Sequence, residues 1–174
     1  VQEAQIPGFY CGEITGCFLS KFLSEQRKSE SAPQLVQEVL DTAKKKRPVD
    51  SVNIGDDFEY GICNRTDCSE MARVYDRVFK TYPFPINEPS YIKKTMQQDV
   101  VYFYIRHNSR IVSLSSTEMQ MNKKNVEMTD FATLSQYRGK GFALFQLLAM
   151  EDEMKKRNIK TAYTIARSVS YGMN

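Results

Sequence analysis

Residues 136–143 read QYRGKGFA, and the stretches on either side decide how they fold: VEMTDFATL (126–134) comes before and FALFQLLAMEDEMKKR (142–157) overlaps and follows. The first has the composition of a strand and the second that of an amphipathic helix, so Gly139 and Gly141 mark a strand-to-helix turn. A helix start leaves four backbone N–H groups without intrahelical partners, and the aligned peptide dipoles add about half a positive charge there. Two glycines in such a turn let an anion come close to those N–H groups, and Arg138 and Lys140 add charge at the rim. Neither GxxxxGK[ST] nor GxGxxG is present, so the string alone leaves two options open, a pyrophosphate cradle and a plain turn.

Working outward, Leu144, Leu147, Leu148, Met150 and Met154 give the following helix an apolar side. Glu151/Lys155, Asp152/Lys156 and Glu153/Arg157 offer three acid-to-base pairs at i, i+4, and Asn158 is a natural stop. KTAYTIA (160–166) predicts a buried strand, which a right-handed crossover places parallel to 126–134. SVSYGMN (168–174) reads as a loop entering another helix. Upstream, FEYGIC (58–63) predicts a strand and Asp67 an N-cap for a helix over 68–81. YPFPINEP (82–89) is held rigid by its prolines, and a second helix spans 90–98. VVYFYIR and RIVSLSSTEM flank a tight turn at His107-Asn108-Ser109.

The first residues are organised differently. EAQIPGFY (3–10) and CFLSKFL (17–23) predict a hairpin. Pro33 opens an amphipathic helix carrying Leu35, Val36, Val39, Leu40 and Ala43, whose basic last turn, KKKR (44–47), is a solvated end facing the negative pole of the dipole. Residues 47–58 form the best linker. We therefore expect an extension over 1–57, of a kind that could complete a preceding lobe, and a second domain over 58–174.

A chain of 174 residues, 41% hydrophobic and 26% charged, has room for a real core. The net charge of +3 is spread among acids, which argues against a nucleic-acid partner. Cys11, Cys17, Cys63 and Cys68 form no CxxC pair, and His107 is the sole histidine, so no metal set is expected and the cysteines read as free thiols of a reducing compartment. No stretch approaches the ~18 apolar residues of a membrane span, and no signal-peptide layout opens the chain, which points to the cytoplasm. The start at Val1 and the end at Asn174 suggest a piece of a longer protein.

The string Gln136-Tyr137-Arg138-Gly139-Lys140-Gly141, set between a strand and a long helix, resembles the acetyl-CoA signature of the GNAT superfamily of N-acetyltransferases. That resemblance implies an α+β fold, a mixed and mostly antiparallel sheet flanked by helices, here with an N-terminal hairpin and helix and lacking the final strands. It implies acetyl-CoA as co-substrate, held by the backbone of Phe131, Ala132, Thr133 and Leu134 and of Gln136, Tyr137, Arg138, Gly139, Lys140, Gly141, Phe142 and Ala143, with Ser170 and Asn174 as further contacts. YPFPINEPSYI, EMTDFATLSQYRGKG and KTAYTIARSVSYGMN are similar to the beta-lysine N-acetyltransferase family, which implies acetylation of a side-chain amine to make a compatible solute. Ser135 stands where proline is common, and Phe142 is larger than the usual residue.

A lysine-type ammonium, with a pKa near ~10.4, must lose a proton before it can attack a thioester. Strict alternation along 126–134 puts Glu127, Thr129 and Phe131 on one face and Met128, Asp130 and Ala132 on the other, so Glu127 and Asp130 are not expected to act from one side. Glu127, nine residues ahead of Gln136, matches the superfamily's common base position. Asp130 and Glu118 remain alternatives for binding the cation, and Arg106 or Arg110 could instead pair with any of the three. Tyr82 and Phe84 are candidate walls for the aliphatic stem, and Tyr171 lies too early to match the superfamily's general acid. The expected partner is a small-molecule amine, with homodimerisation left open. Other amines, such as a polyamine, an aminoglycoside or a protein N-terminus, and a non-catalytic acyl-CoA sensor are the alternatives.

Overall fold

The structure, a computed structural model, describes residues 1–169. Its elements in chain order are β1 (Gln2–Tyr10), β2 (Ile14–Leu19), α1 (Glu25–Lys28), α2 (Pro33–Lys45), β3 (Phe58–Ile62), α3 (Cys68–Val78), α4 (Pro89–Thr95), β4 (Val100–His107), β5 (Arg110–Gln120), β6 (Asn125–Thr133), α5 (Phe142–Lys156) and β7 (Thr161–Tyr163). A single 3₁₀ turn, Ser135–Tyr137, links β6 to the glycine loop. Strands β3 to β7 form one sheet in sequence order, antiparallel as far as β6 and parallel between β6 and β7. The expected mixed sheet and its crossover are borne out.

Helices cover both faces. Met71, Tyr75 and Ile92 of α3 and α4 pack on Tyr102 and Leu114, while Met150 and Met154 of α5 pack on Phe103, Val126 and Met128. Each large apolar side chain buried in this way contributes roughly 1.5–3 kcal/mol, which fixes α5 across the sheet and its N-terminus at the end of β6. The β4–β5 turn holds Asn108 and Ser109 at φ of 49° and 62°, the left-handed pair that the tightest hairpin demands.

Some local expectations are corrected. Helix α3 ends at Val78 rather than 81, and α4 runs from Pro89 to Thr95 rather than over 90–98. Asp67 precedes α3 as expected but does not cap it. Its carboxylate accepts from Asn64 N–H at 2.8 Å and pairs with Arg106 at 2.7 Å, because a nearby guanidinium outcompetes the helix N–H groups. On α5 the inward residues are Phe142, Gln146, Met150 and Met154, and Leu144 faces out. Of the three i, i+4 pairs only Glu153–Arg157 forms, at 3.0 Å; Lys155 and Lys156 turn instead to Asp152 and Glu153, three residues back. Strand β7 has three residues and lies half-exposed, so the buried seven-residue strand is not formed. The short helix α1, capped by Ser24, was not anticipated.

One irregularity governs everything near the site. Between the pairs Leu114↔Ala132 and Ser116↔Thr129, two steps along β5 match three along β6. The additional residue makes a β-bulge with Asp130 at φ 56°, a conformation that aspartate tolerates better than most residues.

Candidate active site

At its C-terminal end, β6 runs into the loop. Gly139 and Gly141 have φ of 79° and 78°, in the left-handed region where a Cβ costs ~1–2 kcal/mol. A Cβ on Gly139 would meet no atom within 4 Å, so the loop presents bare backbone to open space. The first hydrogen bond of α5 is Phe145 N–H to Gly141 O at 2.9 Å, which leaves the N–H groups before it without intrahelical acceptors. Pairing of β6 with β7 covers only Asn125, Val126 and Glu127, so beyond Glu127 the strands part and that edge of β6 has no β-strand partner among the described residues. An open strand edge ending in a helix N-terminus fits an extended ligand that carries amides and phosphate.

The loop side chains divide their work. Phe142 is 2% exposed and packs edge-on to Phe58 with ring centroids 4.8 Å apart, so its size serves the core. Tyr137 is tied to His107 at 3.1 Å, and the Arg138 guanidinium donates to Thr133 O at 3.2 Å, reaching back along the β6 edge. Gln136, Lys140 and Ala143 are exposed, with the Lys140 ammonium 5.8 Å from the Phe58 ring. Ser170, Asn174 and Tyr171 lie outside the described residues.

At the other end, the bulge brings three acids onto one face. Glu127 stands directly opposite Glu118, and Ser116, two residues from Glu118 on the same face of β5, donates to Asp130 Oδ2 at 2.6 Å. Tyr82 donates its hydroxyl to the other Asp130 oxygen. The expectation that Glu127 and Asp130 lie on opposite faces is therefore overturned. The extra residue inverts the alternation, so Phe131 turns to the α5 side and Ala132 to the α3 side. Asp130 is 8% exposed.

Electrostatics follow from this crowding. Burial pushes the Glu127 carboxyl above its ordinary range, and Glu118 and Asp130 push it further. Glu118, exposed at the rim, is raised by the partial loss of solvent around its carboxyl and then by Asp130. Asp130 is raised by burial, although the hydrogen bonds from Ser116 and Tyr82 hold it back. Tyrosines ring the acids: Tyr82, Tyr91, Tyr102 and Tyr163 are all raised, first by burial and also by one or more of these carboxylates. Arg106 pairs with Asp67 and stacks 4.1 Å over Tyr104, so it does not neutralise the acid group.

A cleft of about 360 Å³ opens here, lined by Gln98, Asp99, Val100, Glu118, Met119, Gln120, Glu127 and Tyr163. Tyr82 reaches the acids through Asp130, whereas Phe84 is 55% exposed and stacks on Tyr91 at 6.4 Å. Sequence reasoning missed Ser116 and Tyr163. A signal for Ser116 was present, because SLSST inside an apolar strand places four hydroxyl side chains where each needs a partner, and Ser113, Ser115, Ser116 and Thr117 are all fully buried.

This combination, a mixed sheet splayed beside a glycine loop with acids at the fork, defines an acetyltransferase fold of the GNAT kind. The profile of the Acetyltransferase (GNAT) family matches residues 71–170, and the chain belongs to that family. Among curated relatives it is 42% identical over 99% of its length to Beta-lysine N(6)-acetyltransferase of Methanococcus maripaludis, and 31% identical over 99% to N-acetyltransferase YodP of Bacillus subtilis. The chain spans 62% of the length of each of these relatives. Among solved structures it resembles an aminoglycoside acetyltransferase from a soil metagenomic sample in complex with sisomicin, with a TM-score of 0.58 at 14% identity over 67% of this chain and 82% of that one. The likeness to beta-lysine N-acetyltransferases expected from the sequence is borne out, and the structural match shows the shared fold.

Proposed function

We propose that the protein is an acetyl-CoA-dependent N-acetyltransferase whose acceptor is the side-chain amine of beta-lysine, in the service of compatible-solute synthesis. The observation that carries this is the meeting of Glu118, Glu127 and Asp130 at the point where β7 leaves β6, in a chain 42% identical to a beta-lysine N(6)-acetyltransferase. We assign residues 58–174 to the acetyltransferase unit and 1–57 to its extension.

Acetyl-CoA, when bound, supplies an acetyl group activated as a thioester. The open edge of β6 from Phe131 to Leu134 offers backbone N–H and C=O groups to an extended arm. The backbone from Gln136 to Ala143 holds its pyrophosphate, with Lys140 adding charge at the rim. Asp130, fixed by Tyr82 and Ser116, and Glu118 at the open rim attract the acceptor as an ammonium ion. Glu127 then takes its proton. A carboxyl raised by burial and by neighbouring carboxylates is a stronger proton acceptor than a free one, and this suits it to work near neutral pH. Transfer is direct, with no residue acylated: the amine nitrogen forms a bond to the thioester carbonyl carbon, the C–S bond breaks, and CoA leaves as a thiolate that takes up the second amine proton through solvent, while proximity supplies much of the rate.

The test is thiol release from acetyl-CoA by the full-length protein with L-beta-lysine, L-lysine, spermidine or no amine. Beta-lysine should stimulate release well above the others. Equal rates with L-lysine and beta-lysine would remove the narrow substrate assignment, and cofactor binding without amine-stimulated release would identify a sensor.

A further inference from the structure

The N-terminal hairpin grips the sheet where the acid cleft begins. Asn125 and Thr161 are the first register pair of β6 and β7, and both hold the hairpin: Asn125 Nδ2 donates to Phe9 O at 2.8 Å, and Thr161 Oγ1 donates to Gly8 O at 2.5 Å. Cys11 N–H adds a bond to Lys123 O at 2.7 Å, just ahead of β6. Asn125 is fully buried, so this is a built joint rather than a surface touch. Two residues further along, the register pair is Glu127 and Tyr163, the members of the cleft that β6 and β7 contribute. The Phe9 ring, 8% exposed, packs on the Tyr163 ring with centroids 5.3 Å apart.

Strand β7 needs such support. A parallel strand of three residues has few ladder bonds, and no further strand flanks it among the described residues. The hairpin in turn is shaped for Phe9: a Cβ on Gly16 would sit 2.8 Å from the Phe9 ring, so glycine is what allows the ring its place.

We propose that Phe9 is a positioning residue for the acceptor site, acting through Tyr163, and that the hairpin thereby braces from behind the cleft wall that Tyr163 forms. The proposal rests on the assignment of that cleft to the acceptor amine. The ring contacts of Phe9 are with Tyr10, Phe18 and Tyr163 and its carbonyl accepts from Asn125, all at the β7 end of the cleft, so its influence falls on amine recognition and leaves cofactor binding alone.

The experiment compares wild type, Phe9→Ala, Phe9→Leu and Tyr163→Leu in the full-length protein. It measures KM for beta-lysine, KM for acetyl-CoA, calorimetric binding of beta-lysine in the presence of CoA, and Tm. Loss of the ring contact should raise the beta-lysine KM and dissociation constant about three- to tenfold, with the acetyl-CoA KM within about twofold. Phe9→Leu keeps most of the buried volume and therefore reports the ring contact should Phe9→Ala fail to fold. In the double variant Phe9→Leu/Tyr163→Leu the two effects on amine binding should fall short of additive, because both remove one contact. Unchanged amine constants in Phe9→Leu, equal losses for amine and acetyl-CoA, or strictly additive effects overturn the proposal while leaving the acetyltransferase assignment intact. A wild-type protein that neither binds nor acetylates beta-lysine overturns both.

Discussion

The two ends of β6 are built by different means, and under the function proposed above each meets a different recognition problem. At the C-terminal end the chain offers backbone: an open strand edge, two left-handed glycines and the first N–H groups of α5. At the other end it offers side chains, three carboxyls that a bulge leaves on one face, with Asp130 held by the Tyr82 and Ser116 hydroxyls. Backbone recognition depends on local conformation and tolerates changes of neighbouring side chains. Recognition by the acids depends on which way each residue of β6 points, and a single extra residue in the ladder decides that.

If the two ends are separate devices, substitutions should divide their effects cleanly between acceptor and cofactor. The largest effect is expected from Glu127→Gln, which should lower turnover by a few hundredfold at neutral pH, partly recovered at high pH where the amine loses its proton unaided. Calorimetric affinity for acetyl-CoA should not change, and an unaltered rate would show that another group takes the proton.

Gly139→Ala should act in the opposite sense. Its Cβ meets open space, so the cost is the left-handed backbone, and a strain of ~1–2 kcal/mol should weaken acetyl-CoA binding about tenfold with the beta-lysine dissociation constant unmoved. Loss of amine binding together with cofactor binding would mean that the ends are coupled.

The smallest effect concerns pH. The Glu118, Glu127 and Asp130 carboxyls titrate above their unfolded values, so the folded state holds the protons longer. The stability this contributes is fully present below the ordinary carboxylate range of about 4 and is lost as pH rises through the higher folded values. Glu118→Gln should flatten that decline, visible as a smaller fall in Tm between acid and neutral pH. Because Glu118 is open to solvent, the gain at neutral pH should not exceed about 1 kcal/mol. A steeper decline in the variant would show that Glu118 stabilises its neighbours as anions.

Much of the fold was legible because its signals are local. The glycine loop, the helix that follows it, the Asn108-Ser109 turn and the order of the elements from Phe58 onward follow from residue type and spacing. What misled was local inference applied where a distant partner decides. Asp67 looked like a helix cap, but Arg106, remote in sequence, claims its carboxylate. Strand β7 was expected to run on from 160, yet it ends at Tyr163 where it parts from β6. Alternation along TDFATL failed because β5 sets the register and the bonds from Ser116 and Tyr82 hold Asp130 in its left-handed turn.

By itself the sequence determined that a strand would lead through two glycines into an amphipathic helix, since glycine freedom and helical periodicity need no distant partner. It also supplied the acids. Only the tertiary structure decided that these acids share a face, that Tyr163 joins them, and that the N-terminal hairpin stands behind Tyr163. Each of those outcomes depends on which strand lies beside which and in what register, and pairing between distant segments is settled by the packed sheet as a whole.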